Sequence, residues 1–116
     1  MTPLDQISEI DPVRAAQLAA DGALLLDVRE PDEWAAGHAA GAVHMPLGDL
    51  RPDDVPRDRV VVAVCRSGGR SGRAATVLAG AGVDVRNMAG GMNAWAGANL
   101  PVTRDDRQPG TGPRLT

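Results

Sequence analysis

The residue with the clearest chemistry is Cys65, the only cysteine among 116 residues. It is followed by Arg66-Ser67-Gly68-Gly69-Arg70-Ser71. Two adjacent glycines let a backbone take conformations closed to other residues, so that successive N–H groups can curl around one point. Arg66 and Arg70 add permanent positive charge, and Ser67 and Ser71 add hydroxyl donors. A helix read over residues 71–80 begins where this run ends and offers its positive N-terminal end. Helix N-termini and nearby cations lower a thiol's pKa from about 8.5. The pattern therefore predicts Cys65 as a thiolate in an anion cradle, with Arg66, Ser67, Gly68, Gly69, Arg70 and Ser71 binding substrate. The blander reading makes Cys65 a small buried hydrophobe capping a strand. The glycines, arginines and helix start argue against it. Arg73 reads equally as a solvated helix residue or a substrate contact.

No histidine or acid lies near Cys65 in the chain. His38 and His44 are the only histidines, and each reads as a packing or hydrogen-bonding residue. That bears on the reaction class. Attack on the outer sulfur of thiosulfate expels sulfite, which needs no protonation, whereas phosphate ester cleavage usually wants a general acid. Cysteine phosphatases also space five residues between Cys and Arg. Here Ser71 holds that Arg position and Arg70 falls one place short. A phosphatase or an arsenate reductase is the weaker alternative.

The elements that must position this loop follow from the apolar pattern. Val60 to Val64 is β-branched, uncharged and of strand length, and it runs straight into Cys65. Residues 23–28 (ALLLDV) form a second continuous apolar run, suited to a strand covered on both faces. Residues 6–10, 42–45 and 83–88 read as further strands. Asp11-Pro12 is a helix start, with Asp as N-cap and Pro in the first turn, and Asp21-Gly22 ends that helix. Residues 30–37 read as a short helix stopped by Gly37. Residues 48–59 read as a loop with one helical turn, and residues 90–97 as a turn into a last short helix. In the helix after Cys65, Ala74, Ala75, Val77 and Leu78 form the inward face. Alternating strands and helices imply an α/β layer fold with a mainly parallel sheet. Its ligand site belongs at the C-terminal ends of the strands, where Cys65 falls. The reading gives one domain over residues 1–102 and a polar, disordered tail over 103–116.

Composition bounds the rest. Hydrophobic residues make up 43 % of the chain, which fits a globular core. Aromatics are only 2 %, with no Phe or Tyr, so Trp34 and Trp95 are read as fixed packing positions. The net charge of −3 does not suggest nucleic-acid binding. With one cysteine and no Cys/His cluster of zinc spacing, no metal or cofactor is expected. No segment has the length to span a membrane and the N-terminus lacks signal-peptide features, so a cytoplasmic protein without membrane partners is expected.

Four segments in order resemble the rhodanese domain family, across residues 6–101. Residues 24–34 (LLLDVREPDEW) resemble its Asp-Val-Arg-Glu segment, and residues 37–47 (GHAAGAVHMPL) its Gly-His to Ile-Pro stretch. Residues 65–71 (CRSGGRS) resemble the active-site loop. Residues 89–95 (AGGMNAW), with Leu100-Pro101, resemble the Gly-Gly-x-x-x-Trp and Leu-Pro signatures. Ala39, His44 and Gly69 depart from the residues common there, and the cysteine is kept. The resemblance implies a three-layer α/β sandwich around a mainly parallel five-stranded sheet. It implies Cys65 as a persulfide carrier, with the amides of Arg66 through Ser71 lining the pocket. Asp27 and Arg29 match positions that support the neighbouring strand end, read as a buried ion pair. Glu30, Asp32 and Glu33 are read as a helix start and solvated face.

The expected activity is that of a thiosulfate sulfurtransferase. A small anionic sulfur donor charges Cys65, and cyanide, a thiol, a protein sulfur acceptor or a thioredoxin-like reductant discharges it. The alternatives are a sulfur-relay or interaction module with poor thiosulfate turnover, and a regulatory domain with an unreactive thiol.

Overall fold

The computed structural model describes residues 7–104. The chain runs β1 (Ser8–Ile10), α1 (Pro12–Ala20), β2 (Leu24–Asp27), α2 (Pro31–Ala36), β3 (His38–Ala39) and β4 (Val43–His44). It continues through two 3₁₀ turns (Leu47–Asp49 and Pro52–Asp54) to β5 (Val61–Val64), α3 (Gly69–Gly80), β6 (Val85–Met88), α4 (Gly91–Gly97) and β7 (Val102–Thr103). The main sheet has five strands in the order β1-β6-β5-β2-β4, and every pairing in it is parallel. The β-branched run is its middle strand, as its composition requires.

Period-two alternation divides the core into two layers. Leu26, Val28, Val61, Ala63 and Cys65 face one side, where Ala74, Ala75 and Leu78 of α3 cover them. Leu25, Val62 and Val64 face the other, against Ala15 of α1 and Met92 and Trp95 of α4. Helices on both faces of a parallel sheet are the three-layer α/β arrangement expected. Trp95 fills the second layer and donates its indole N–H to the Pro101 carbonyl at 2.9 Å. Trp34 instead stacks on the imidazoles of His38 and His44.

Asp11 caps α1 as anticipated, its Oδ1 accepting from the Arg14 amide at 2.8 Å. Three details differ from the sequence reading. Helix α3 begins at Gly69, two residues early, so the end of the glycine-rich loop is already its first turn. Val77 is 51 % exposed rather than inward, because Ala74, Ala75 and Leu78 already complete the buried stripe. Strands β3 and β7 form a separate antiparallel pair, with Thr103 opposite His38, so Thr103 is tied to the domain. The rest of the expected tail, residues 105–116, lies outside the described residues, as do residues 1–6. Among the described residues no helix is long and apolar enough to cross a membrane.

Candidate active site

Cys65 directly follows β5 at its C-terminal end and is 1 % exposed. It packs on the α3 side of the sheet, yet its sulfur is not in purely apolar surroundings. The Gly68 amide donates to Sγ at 3.1 Å. The Ser71 hydroxyl lies 3.3 Å from Sγ. Gly68 makes the curl possible: its φ of +112° is a conformation that an L side chain rarely adopts. Gly69, in contrast, is an ordinary first helical residue, and a Cβ there would meet nothing within 4 Å.

Burial pushes the Cys65 thiol's pKa up. Hydrogen bonds from the Ser71 hydroxyl and from the amides of Ser71, Gly68 and Ser67 oppose it and bring the net shift below the ordinary value. The stabilisation of the anion is thus carried mainly by hydrogen-bond donors. The sequence reading had added the charges of Arg66 and Arg70 to these donors.

The two arginines differ. Arg70 is held by Glu33 of α2 through two contacts, Nη1 to Oε1 at 2.6 Å and Nη2 to Oε2 at 2.8 Å. This pairing lowers the Glu33 pKa to about 2 and raises that of Arg70. Glu33 is therefore not on a solvated face: it occupies the guanidinium expected to meet the substrate. Arg66 has no ion-pair partner among the described residues and is exposed. It lines a groove of about 440 Å³ together with Arg29, Glu33 and Met92. Ser67 is exposed and lies on the same loop, while Ser71 is fully buried.

Asp27 and Arg29 form a buried pair at the end of β2, beside β5. Arg29 Nη2 reaches Asp27 Oδ2 at 2.8 Å, and the side chains are 7 % and 0 % exposed. Arg29 Nε also reaches both carboxylate oxygens, and its Nη2 donates to the Gly37 carbonyl at 2.7 Å. This ties the end of β2 to the end of α2. Both histidines are engaged elsewhere. His38 Nδ1 is 2.8 Å from the Trp34 carbonyl oxygen, and His44 Nε2 is 2.8 Å from that of Arg29.

Three contributors were missed in the sequence. The first turn of α4 caps the loop from outside: the Met92 amide donates to the Cys65 carbonyl at 2.7 Å and the Asn93 amide to that of Arg66 at 3.0 Å. Turning these carbonyls away leaves the following amides to face the sulfur. Gly91 permits the approach, since a Cβ there would lie 2.3 Å from the Cys65 carbonyl oxygen. Glu33 lies 37 positions from Arg70, and no local pattern announces their pairing. Asn87, buried in β6, accepts from Ser71. A signal for it existed: an amide in phase with Val83 and Val85, on the strand's inward face, is unusual for a β-strand.

Known proteins resemble this chain in sequence and in fold. The sequence model of the Rhodanese-like domain matches residues 11–98. A protein named sulfurtransferase from Allochromatium vinosum is 40 % identical over 101 residues, spanning 83 % of this chain and 94 % of that protein. Thiosulfate sulfurtransferase 16, chloroplastic, from Arabidopsis thaliana is 36 % identical over 111 residues, spanning 82 % of this chain and 92 % of that one. The crystal structure of a rhodanese-related protein from Thermoplasma volcanium superposes with a TM-score of 0.77 at 26 % identity, covering 83 % of this chain and 97 % of the other.

Proposed function

The chain belongs to the rhodanese-like domain family, and from that premise we propose that it is a thiosulfate sulfurtransferase in which Cys65 carries the transferred sulfur. The observation that carries this reading is the set of donors on Sγ: the Gly68 amide at 3.1 Å and the Ser71 hydroxyl at 3.3 Å, at the N-terminus of α3.

The Cys65 thiolate attacks the outer sulfur of thiosulfate. A new S–S bond forms at Sγ, the S–S bond of thiosulfate breaks, and sulfite leaves with the bonding pair. Sulfite carries away the displaced charge as its dianion, and the outer sulfur keeps its negative charge as the persulfide anion, where loop amides receive it. A nucleophile such as cyanide or a thiolate then attacks that outer sulfur and Sγ departs as the thiolate. Neither half needs a proton delivered, which suits a chain whose two histidines are both held at backbone carbonyls away from the sulfur. Covalent catalysis in two halves predicts ping-pong kinetics. Arg66, at the wall of the adjoining groove, is the guanidinium available to draw in an anionic donor. The acceptor in this reading is a thiol, a protein acceptor or a thioredoxin-like reductant, in the reducing cytoplasm that a lone thiolate suits.

The phosphatase reading is disfavoured by the count of loop residues and by the engagement of Arg70 with Glu33. The test is Cys65→Ser. The variant is expected to keep its circular dichroism spectrum and lose all thiosulfate-dependent thiocyanate formation. Thiocyanate production at the rate of the unmodified protein would end the proposal.

A further inference from the structure

A row of side chains runs beneath the loop from Cys65 through Ser71, Asn87 and Glu9 to the edge of the sheet. Asn87 lies in register with Ala63 of β5 on one side and Glu9 of β1 on the other, and is 3 % exposed. Its Nδ2 donates to Glu9 Oε2 at 2.9 Å and Oε1 at 3.1 Å, and to the Gly68 carbonyl at 3.1 Å. Those acceptors fix the amide's orientation, because Nδ2 carries the only protons. Oδ1 therefore faces the other way, onto Ser71 Oγ at 2.5 Å. Ser71 Oγ is also 3.3 Å from Cys65 Sγ and 3.3 Å from the Gly68 carbonyl oxygen. A hydroxyl has one proton, so these acceptors compete for it.

With Cys65 neutral, its S–H points to Ser71 and the Ser71 O–H to Asn87, and the row is complete. When the sulfur ionises, the Ser71 proton turns to the anion and the buried Asn87 oxygen loses its donor, which carries a cost. We propose that Asn87, oriented by Glu9, is a positioning residue that competes with Cys65 for the single Ser71 hydroxyl proton and so restrains ionisation of the sulfur. The inference rests on the reading of Cys65 as sulfur carrier and adds a consequence to it. In the persulfide the charge sits on the outer sulfur and Sγ becomes a poor acceptor. The Ser71 proton then returns to Asn87, so the same competition favours the sulfur-loaded form over the free thiolate.

Charged groups near the pocket include Arg66 and Arg70 on the loop and first turn of α3, Glu33 paired with Arg70 and Glu30 acting on it, the Asp27–Arg29 pair, and Glu9 on Asn87. Helix α4 has no charged residue. Substituting Asn87 alters the charge of none of them.

The test is the pH dependence of iodoacetamide alkylation, which reads the thiolate, in the full chain and in Asn87→Ala, Ser71→Ala and the double variant. Asn87→Ala is expected to speed alkylation about fivefold below the thiol's midpoint, the equivalent of one net hydrogen bond. Ser71→Ala is expected to slow it. In the Ser71→Ala background the Asn87 substitution should change the rate by less than about twofold, since no hydroxyl remains to compete for. Asn87→Val, a β-branched replacement suited to a strand, is measured beside Asn87→Ala so that loosening of β6 does not decide the outcome. Unchanged or slower alkylation in the Asn87 variants would overturn the proposal, as would the same acceleration without Ser71. Alkylation does not depend on sulfur transfer. Failure of the sulfurtransferase reading would appear separately, as absent sulfur uptake by a chain that still shows this pattern.

Discussion

Replacing Gly91 by alanine probes how the last helix holds the Cys65 loop. Gly91 has a φ of +55°, where alanine carries a penalty of about 1 kcal/mol relative to glycine. The added Cβ would lie 2.3 Å from the Cys65 carbonyl oxygen, 2.5 Å from the Arg66 carbonyl carbon and 2.6 Å from its oxygen. All three are backbone atoms, so no side-chain rotation relieves the clash. Either α4 or the loop must move by a substantial fraction of an ångström. That movement strains or breaks the Met92 and Asn93 amide bonds to these carbonyls, each worth about 1 kcal/mol net. The sum is a destabilisation of about 2–4 kcal/mol, within the range of overpacked sites. The loop carbonyls, once released, no longer hold the amides of Ser67 and Gly68 toward the sulfur. Urea unfolding gives the stability change, and alkylation of Cys65 against pH gives the change in the pocket. Gly91→Ala is expected to lower stability by that amount and to raise the midpoint of Cys65 alkylation. A variant with unchanged urea midpoint and unchanged alkylation profile would refute the claim that α4 organises the loop.

Asp27→Asn leaves the buried Arg29 guanidinium without its counter-charge and should destabilise the fold by about 3–5 kcal/mol, measured by urea unfolding; a loss below about 1 kcal/mol would show that solvent reaches Arg29. The Arg70–Glu33 pair should confer acid sensitivity. Glu33 has its folded pKa depressed to about 2, so its contribution is fully present above the unfolded carboxyl value, near 4.3. It falls away as pH drops from there through about 2. With the pair partly solvated, about 1 kcal/mol is expected after screening. Glu33→Gln should flatten the stability profile in that window, and an unchanged profile would count against the pairing.

What the sequence made legible was local. Val60 to Val64 announced the central strand, and Cys65 at its end, with Gly68 and a helix start, announced the cradle. Asp11-Pro12 announced the first helix. The pairings that tune the site were not legible, because they join distant parts of the chain. Nothing near Arg70 indicates that Glu33 binds it, and a loop arginine read alone looks available for substrate. The Gly-Gly before Met92 matched a family signature, but its purpose appears only when α4 is seen against the carbonyls of Cys65 and Arg66. Asn87 lay within reach of sequence reasoning, as a polar residue in phase with Val83 and Val85. A run described as a plain strand hid it. The β3–β7 pair is two residues per strand, too short for any periodicity to register.

Intact mass spectrometry after thiosulfate treatment tests sulfur carriage by Cys65 most directly. The chain should gain one sulfur atom, lose it to cyanide with release of thiocyanate, and show no gain once Cys65 is replaced by serine. An unchanged mass under excess thiosulfate, or an equal gain in the serine variant, would contradict the account.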